Sequence, residues 1–318
     1  MTSWPNHAEA WRLWRDALRG ERMHHAWLLA GKSGLGKRDF ALAAARALVA
    51  EPGVPQPTVD HPDIIILSYG PKDEKAEKAQ ADGKPFERAR SIRIKQIRAM
   101  QRRLITRPTL GSRRAIIIDP ADDMEKAAAN ALLKSLEEPP AGTFFLLVTH
   151  HPARLLPTIR SRCRMLRFPV LTDRQIAAML EDAGVPPDPA AIAAAEGSFG
   201  AALRFAEQDL SPIAQTISTL LASGDSTFAG RGELARLIGP RADRERMQAV
   251  LDLAQGLVAR AARKTTDARQ RERLIEAHGA LVSLAAEVPT ANFDPAMLSF
   301  EIGTLLVAAA PASEPAHG

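Results

Sequence analysis

A glycine-rich turn between a short apolar run and a helical stretch is the feature that most constrains this sequence. The segment AWLLAGKSGLGKRDFALAAARALV, residues 26–49, has the order strand, turn, helix, with Gly31, Gly36 and Lys37 in the spacing GxxxxGK. Glycines at these positions let backbone N–H groups converge on phosphate oxygens, and the following helix N-terminus adds partial positive charge. The segment predicts a phosphate-binding loop with the candidate residues Gly31, Gly34, Gly36 and Lys37.

Two positions that a nucleotide hydrolase needs are altered. The residue after the lysine normally supplies the hydroxyl that holds Mg²⁺, but here it is Arg38, which has no acceptor atom. A later apolar run ends in Asp119, the acid expected of such a site, but the next residue is Pro120 where a hydrolase commonly has a glutamate. Asp122 and Asp123 are interpreted as a cap for the next helix. We therefore expect an inherited loop without catalysis, with a chance glycine turn as the alternative.

Five short apolar runs predict buried strands: AWLLA (26–30), DIIIL (63–67), AIIID (115–119), FFLLVT (144–149) and RMLRF (164–168). The intervening lengths allow helical crossovers, so we expect a mostly parallel sheet with helices on both faces. Between Pro71 and Pro85 the chain is charged and poor in apolar residues, which predicts an exposed, disordered insertion. After Phe168 the strand signals stop, and helical spacing continues nearly to the end, where Asp294 and Pro295 predict the start of a last helix.

The cysteine content and the apolar runs exclude several classes of protein. A single cysteine, Cys163, excludes an internal disulfide bond and a zinc site built from several cysteines. No apolar run reaches the roughly 18 to 20 residues that a membrane helix needs, and the early charges in residues 1–16 do not fit a secretory signal. We therefore expect a cytoplasmic protein without a membrane partner. The formal net charge of +5 permits an anionic partner without demanding one.

Basic residues are concentrated in one stretch, residues 87–114, which holds nine Arg and one Lys against one acid. Apolar residues at helical spacing predict an inward stripe made of Ile92, Ile97, Leu104 and Ile105, and Ser91 is expected to cap this helix. The candidates for contact with a nucleic-acid backbone are Arg93, Lys95, Arg98, Arg102 and Arg103. A solvated helix face is the alternative, and no aromatic residues are interleaved for base stacking.

The segment NALLKSLEEPPAGTFFLLVTHHPARLLPTIRSRC, residues 130–163, resembles the most distinctive segment of bacterial replicative clamp-loader subunits. These are AAA+ proteins of the delta-prime and gamma/tau types in the DNA polymerase III holoenzyme. HHAWLLAGKSGLGK, the HPD at 61–63 and ANFDPAMLSFE are similar to further family segments. The resemblance implies an α/β AAA+ domain with a mostly parallel five-stranded sheet over residues 1–168, a helical lid over 169–208, an all-α collar over 209–309 and a disordered tail over 310–318.

Departures from the family pattern favour one type of subunit. The gamma/tau-type motor keeps a complete phosphate loop and an Asp-Glu pair, which are altered here at Arg38 and Pro120. Its lid carries a nucleotide-sensing arginine where this chain has Gly200. The resemblance therefore favours the delta-prime type, which does not hydrolyse ATP, and leaves nucleotide binding without hydrolysis open. The family's cysteine zinc module is absent, so no zinc and no required cofactor are expected.

The resemblance also implies roles for two further residues. Arg162, within Ser-Arg-Cys, matches an arginine that in this family reaches across a subunit boundary into a neighbour's ATP site, where a guanidinium stabilises transition-state charge. An ordinary surface arginine is the alternative. Thr149 lies where the family places a polar sensor, with a structural hydroxyl as the alternative.

The implied role is that of a component without catalysis of its own. Its implied partners are gamma/tau-type ATPases, the delta subunit, the sliding clamp through the complex, and primed DNA. The competing hypotheses are a gamma/tau-type or other P-loop ATPase that hydrolyses ATP at its own site, and a stand-alone basic DNA-binding protein.

Overall fold

The computed structural model describes residues 4–20, 23–288 and 293–311. They form two compact units, one reaching Val170 and the other beginning at Leu171. The predicted division of the helical part at residue 208 falls inside the second unit and stays a prediction. Residues 312–318 of the predicted tail lie outside the described residues.

The first unit is built on one sheet of five parallel strands: β1 (Ala26–Ala30), β2 (Ile64–Leu67), β3 (Arg114–Ile118), β4 (Thr143–Thr149) and β5 (Arg164–Arg167). Their order across the sheet is β2-β3-β4-β1-β5. Every residue of β1 and β3 is buried, and a parallel strand covered on both faces needs continuous apolar sequence instead of alternation. The predicted five-stranded parallel sheet is confirmed.

The helices of the first unit are α1 (Ala8–Arg19), α2 (Lys37–Val49), α3 (Glu74–Ala81), α4 (Ile94–Arg103), α5 (Lys126–Glu137) and α6 (Pro157–Arg160), with single 3-10 turns at Pro5–His7, Ala121–Asp123 and Pro152–Arg154. On one part of the core the rings of Trp14 and Trp27 meet edge to face with centroids 5.2 Å apart. A second cluster joins Ile97, Ile116 and Phe145. Both clusters hold the helices against the sheet that carries the candidate site.

The charged segment between Pro71 and Pro85 is not the disordered insertion that was predicted. It contains α3, which Asp73 caps by accepting a hydrogen bond from the N–H of Ala76 at 2.9 Å. Ala76 is buried, and an isolated β-bridge joins Pro71 to Arg88. Most of the segment is exposed as predicted, but the predicted disorder was wrong because a capping aspartate and one buried alanine stabilise a short helix that charge content alone does not reveal.

The basic helix α4 differs from its prediction at both ends. Ser91 is not its cap, because its hydroxyl donates to the Glu125 carboxylate at 2.8 Å and the helix begins at Ile94. Ile105 is 84% exposed because it lies two residues beyond the end of α4, where helical periodicity no longer applies. The remaining residues of the predicted stripe are buried: Ile92, Ile97 and Leu104.

The second unit consists of helices α7 (Asp173–Asp182), α8 (Pro189–Ala195), α9 (Phe199–Glu207), α10 (Ser211–Ser223), α11 (Ala229–Ile238), α12 (Arg244–Lys264), α13 (Ala268–Glu287) and α14 (Pro295–Ala308). A core that includes Ile217, Val250 and Ile302 joins them. Asp294 caps α14 as predicted, accepting hydrogen bonds from the first-turn N–H groups. Within the described ranges, none of the helices is long and apolar enough to cross a membrane.

Candidate functional site

The strand order brings three parts of the predicted site to one edge of the sheet. Because β4 lies between β1 and β3 and all three strands are parallel, their carboxyl ends share an edge. The glycine loop follows β1, Thr149 ends β4 and Asp119 follows β3. The N–H of Gly31 donates to the Thr149 carbonyl oxygen at 3.4 Å. The carboxyl edge of a parallel sheet is the usual place for a ligand in folds of this kind.

The loop requires glycine at each of its three glycine positions. Gly34 and Gly36 have φ values of +75° and +71°, a left-handed conformation that other residues adopt at a cost. A Cβ on Gly36 would also lie 2.2 Å from the ring of Trp4, and a Cβ on Gly31 would lie 2.6 Å from the carbonyl oxygen of Phe168. The glycine spacing therefore reflects backbone geometry and close approach, as a phosphate-loop fold requires.

An aromatic turn near the start of the chain packs on the loop. Trp4 donates from Nε1 to Asp39 at 3.0 Å, and His7 donates from Nε2 to the carbonyl oxygen of Leu35 at 2.8 Å. The two rings stack with centroids 5.3 Å apart, and burial lowers the pKa of His7. Asp39 lies in the first turn of α2, where a negative charge is favourable for the helix. A phosphate at this helix end would meet that negative charge.

Lys37 is buried and bonded to the loop itself. Its Nζ donates to the carbonyl oxygens of Gly31 at 2.7 Å and Lys32 at 2.6 Å. Burial lowers its pKa from 10.5 to about 8, although Asp122 and Asp119 act in the opposite direction. The amine is therefore satisfied by backbone carbonyls at the position where a phosphate-loop lysine binds phosphate.

The lowered pKa of Lys37 predicts a pH-dependent contribution to stability. Between pH 8 and 10.5 the unfolded chain binds a proton at this lysine that the folded chain does not, so the free energy of unfolding rises with pH through this window. We expect wild type to gain about 1 to 3 kcal/mol relative to Lys37→Met across it. Denaturant unfolding of both proteins at several pH values measures this difference, and parallel curves would contradict the assignment.

Arg38 makes an ion pair with the acid of the site. Its Nη1 lies 3.4 Å from Oδ2 of Asp119, with the arginine side chain 52% exposed and the aspartate 11% exposed. Burial raises the pKa of Asp119, while the charges of Arg38 and Lys37 oppose that shift. A guanidinium offers no acceptor to Mg²⁺ and competes with it for the carboxylate. These residues do not fit a magnesium–nucleotide complex. The next residue, Pro120, follows Asp119 through a cis peptide bond and supplies no second carboxylate.

Asp122 and Asp123 have roles other than the predicted helix cap. The Asp122 carboxylate accepts hydrogen bonds from the backbone N–H groups of His150 at 3.1 Å and His151 at 3.0 Å. Asp123 accepts a hydrogen bond from the hydroxyl of Tyr69. Both aspartates lie in a 3-10 turn that separates them from α5. The cap interpretation was wrong because their partners lie in loops 28 or more positions away, which local spacing does not indicate.

Behind the loop, the Thr149 side chain is fully buried, and the His150 side chain is partly exposed with a buried Nδ1. Among the described residues, neither the Thr149 hydroxyl nor Nδ1 of His150 has a hydrogen-bond partner. Burial lowers the pKa of His150 to about 4, and the charge of Lys37 acts in the same direction, so this imidazole is neutral at pH 7. Both interpretations of Thr149, as polar sensor or structural hydroxyl, stay predictions.

Arg162 lies at the opposite side of the sheet from the glycine loop, where the parallel strands begin. It follows α6 and stands two residues before β5, whereas the glycine loop follows β1. β1 and β5 are adjacent and parallel, and they are paired over four residues. The amino and carboxyl ends of this pair of strands are therefore about 13 Å apart. The Arg162 side chain is 35% exposed, with Nη2 2.7 Å from the Glu137 carboxylate and Nη1 donating to the Thr158 carbonyl at 3.0 Å. Arg162 is thus partly exposed and distant from the loop of its own chain.

Cys163, the residue after Arg162, packs against the apolar cluster beneath α5. Burial raises the pKa of its thiol to about 12, which keeps the thiol protonated at neutral pH. This cysteine therefore anchors the segment that carries Arg162.

All five predicted DNA-contacting residues lie on α4 or at its N-cap and are exposed: Arg93, Lys95, Arg98, Arg102 and Arg103. Several are engaged within the chain. Lys95 pairs with Glu77 of α3 at 2.8 Å, and Arg93 lies 3.9 Å from Glu125. In the part of the chain that the structure describes, Arg98 and Arg102 form no ion pair with an acid. Arg103 likewise contacts no acid among the described residues and donates to the Pro62 carbonyl oxygen at 3.3 Å, so the available positive charge is centred on these three arginines.

Comparison with known proteins matches the first unit to one family. A family model described as DNA polymerase III, delta subunit, matches residues 6–172. The DNA polymerase III subunit delta' of Pseudomonas aeruginosa is 38% identical over 164 residues, which are 48% of this chain and 45% of that protein. The subunit delta' of Escherichia coli is 31% identical over 216 residues, 64% of this chain and 62% of that protein. The matched part thus spans less than two thirds of either relative.

A solved structure extends the likeness of fold along the chain. The gamma subunit-related protein of Thermotoga maritima aligns with a TM-score of 0.50 at 17% identity, covering 93% of this chain and 97% of that one. At this identity the likeness concerns the fold alone.

Proposed function

The chain belongs to the delta-prime family of DNA polymerase III clamp-loader subunits, and on that premise we propose that it donates Arg162 to a neighbouring ATPase subunit without hydrolysing ATP itself. Its partners in this role are gamma/tau-type ATPases and a delta subunit. Together they load the sliding clamp onto primed DNA. The chain requires neither a nucleotide nor zinc of its own.

The observation that carries this proposal is the position of Arg162. Arg162 precedes β5 and therefore lies at the amino end of that strand, about 13 Å along the strands from the loop that follows β1. An arginine must lie within hydrogen-bond distance of the γ-phosphate to stabilise charge in the transition state. Arg162 cannot do this for its own loop, so any nucleotide it serves belongs to another subunit. Arginines that act in trans make hydrolysis depend on assembly.

The state of the chain's own loop supports the absence of hydrolysis. Arg38 pairs with Asp119, and Lys37 donates to two loop carbonyls. Hydrolysis would need Mg²⁺ and a group that orients the attacking water. Pro120 has no polar side-chain atom that could orient the water. The groups at these positions carry the wrong charge for Mg²⁺ or no polar atom.

Primed DNA is proposed to contact the exposed face of α4 through its phosphates. Arg98 and Arg102 are exposed there, one helical turn apart, while Lys95 is engaged by Glu77. Phosphate contacts of this kind carry no sequence information and weaken with salt. The stand-alone DNA-binding hypothesis would need the same face to bind DNA without partners.

Steady-state ATP hydrolysis distinguishes the proposal from the competing hypothesis, an ATPase that hydrolyses ATP at its own site. We expect the isolated chain to release phosphate no faster than its Lys37→Ala variant, and addition of the chain to gamma/tau-type subunits, delta, clamp and primed DNA to stimulate their hydrolysis. Lys37 is the comparison of choice because a functional phosphate loop depends on it. ATP turnover by the isolated chain that disappears in Lys37→Ala would show that the chain is itself an ATPase and would refute the proposal.

A further inference from the structure

Glu137 contacts Arg162 and has no role in the function described above. It is the last residue of α5, and its Oε1 lies 2.7 Å from Nη2 of Arg162. The glutamate side chain is 49% exposed, so the pair lies at the surface, where an isolated ion pair contributes little to stability. The pair therefore calls for an explanation other than stability.

The position of Glu137 is unfavourable for its own helix. The C-terminus of a helix carries partial negative charge and favours basic residues, yet α5 ends at Glu137 and its C-cap residue is a second acid, Glu138. Pro139 and Pro140 follow and end the helix. Glu137 is thus held on the last turn of a well-packed helix and faces an arginine that compensates its charge.

The contacts of Arg162 fix the guanidinium from two sides. Nη1 donates to the carbonyl oxygen of Thr158 at 3.0 Å, while Nη2 pairs with Glu137. A guanidinium is planar, so two contacts through different nitrogens define its plane as well as its position. The Thr158 carbonyl uses one of the five N–H donors, and donors remain for an incoming phosphate.

Both partners are attached to packed elements. The backbone N–H of Arg162 donates to Ile159 at 3.1 Å, and Ile159 is fully buried in the same apolar cluster as Leu136, the neighbour of Glu137. The distance between the carboxylate and the guanidinium is therefore set by the core beneath them. An arginine on a turn without such a partner would lose more rotamer freedom on binding phosphate.

We propose that Glu137 is a positioning residue, which orients the Arg162 guanidinium toward the γ-phosphate of a nucleotide bound by the adjacent subunit. This inference rests on the proposed function, because it assigns Glu137 a role only through Arg162. The carboxylate holds Nη2 while the remaining N–H groups face the phosphate, so the arginine reaches the neighbouring site already oriented.

Hydrolysis by the reconstituted complex of this chain with gamma/tau-type subunits, delta, clamp and primed DNA tests the proposal. At the one site that Arg162 serves, followed as the rate of its phosphate burst, we expect Glu137→Ala to lower kcat about tenfold with KM for ATP within about twofold, since misorientation affects the transition state more than nucleotide binding. Glu137→Gln retains an acceptor oxygen and is expected to lower kcat by about threefold. Glu138→Gln removes the adjacent charge and serves as the matched control, with unchanged kcat.

A double-variant comparison separates failure of this inference from failure of the proposed function. We expect Glu137→Ala to have no further effect once Arg162→Ala is present, because the two residues act as one unit. If Arg162→Ala lowers kcat but Glu137→Ala leaves it unchanged, raises it or lowers it equally in both backgrounds, the positioning role is refuted alone. If Arg162→Ala has no effect, both fall. Retained assembly in size-exclusion chromatography and native tryptophan fluorescence show that each variant is folded, and Glu137→Gln provides the test should Glu137→Ala not fold.

Discussion

Replacing Arg162 with alanine is expected to slow ATP hydrolysis at the neighbouring site by about a thousandfold or more, the range known for arginines that act in trans on a transferring phosphoryl group. The loss is large because the guanidinium stabilises charge that develops in the transition state, in a site from which water is largely excluded. ATP binding should change little. Rapid-quench measurement of phosphate formation in the reconstituted complex would show a burst that lacks the contribution of this one site, together with a loss of clamp loading on primed DNA.

The chain offers a matched control for this experiment. Arg160 is an exposed arginine at the end of α6, two residues before Arg162. Arg160→Ala removes the same charge from the same surface and should leave the burst intact. Arg162→Lys keeps the charge but loses the planar fork, so we expect an intermediate rate. Equal effects of Arg160→Ala and Arg162→Ala would mean that net charge at the surface is responsible, which would contradict the proposed role.

The fold could be predicted largely because its strands carry a strong local signal. A central parallel strand such as β1 is buried on both faces, so AWLLA is apolar throughout and its bounds are visible in the sequence. The start of α14 was equally local, since a capping aspartate and a first-turn proline adjoin each other. A short helix such as α3 is not visible in the apolar pattern of the sequence, because one cap and one buried alanine are enough to stabilise it.

The sequence predicts which residue types occupy the candidate site, but it does not predict which of these residues contact one another. The sequence identifies Arg38 as unsuited to Mg²⁺, yet its ion pair with Asp119 joins residues 81 positions apart. Tyr69 and Asp123 meet across 54 positions. Such pairs arise from strand order, which places the ends of β1, β3 and β4 together, and single-sequence periodicity contains no information about strand order.

A buried ion pair at the opposite end of β2 and β3 holds part of the first unit together. Asp63 accepts hydrogen bonds from the backbone N–H groups of Thr109 at 2.6 Å and Leu110 at 2.8 Å, and it lies 3.8 Å from Nη2 of Arg114. Arg114 also donates to three carbonyl oxygens, including that of Arg103 at 2.6 Å. Both charged side chains are almost fully buried. The network ties the segment after the basic helix to the sheet.

We expect Asp63→Ala to lower the free energy of unfolding of this unit by about 3 to 5 kcal/mol, because it leaves the buried Arg114 cation without a counter-charge and two N–H groups without an acceptor. All four tryptophans of the chain lie between residues 4 and 27, so tryptophan fluorescence in urea reports on the unit that contains Asp63. The unfolding midpoint should fall by roughly 2 M. Asp60→Ala, an exposed acid three residues earlier, should change stability by less than about 0.5 kcal/mol. Equal midpoints for the two variants would mean that water or other groups replace the lost carboxylate, and the network would then have no part in holding the segment after α4.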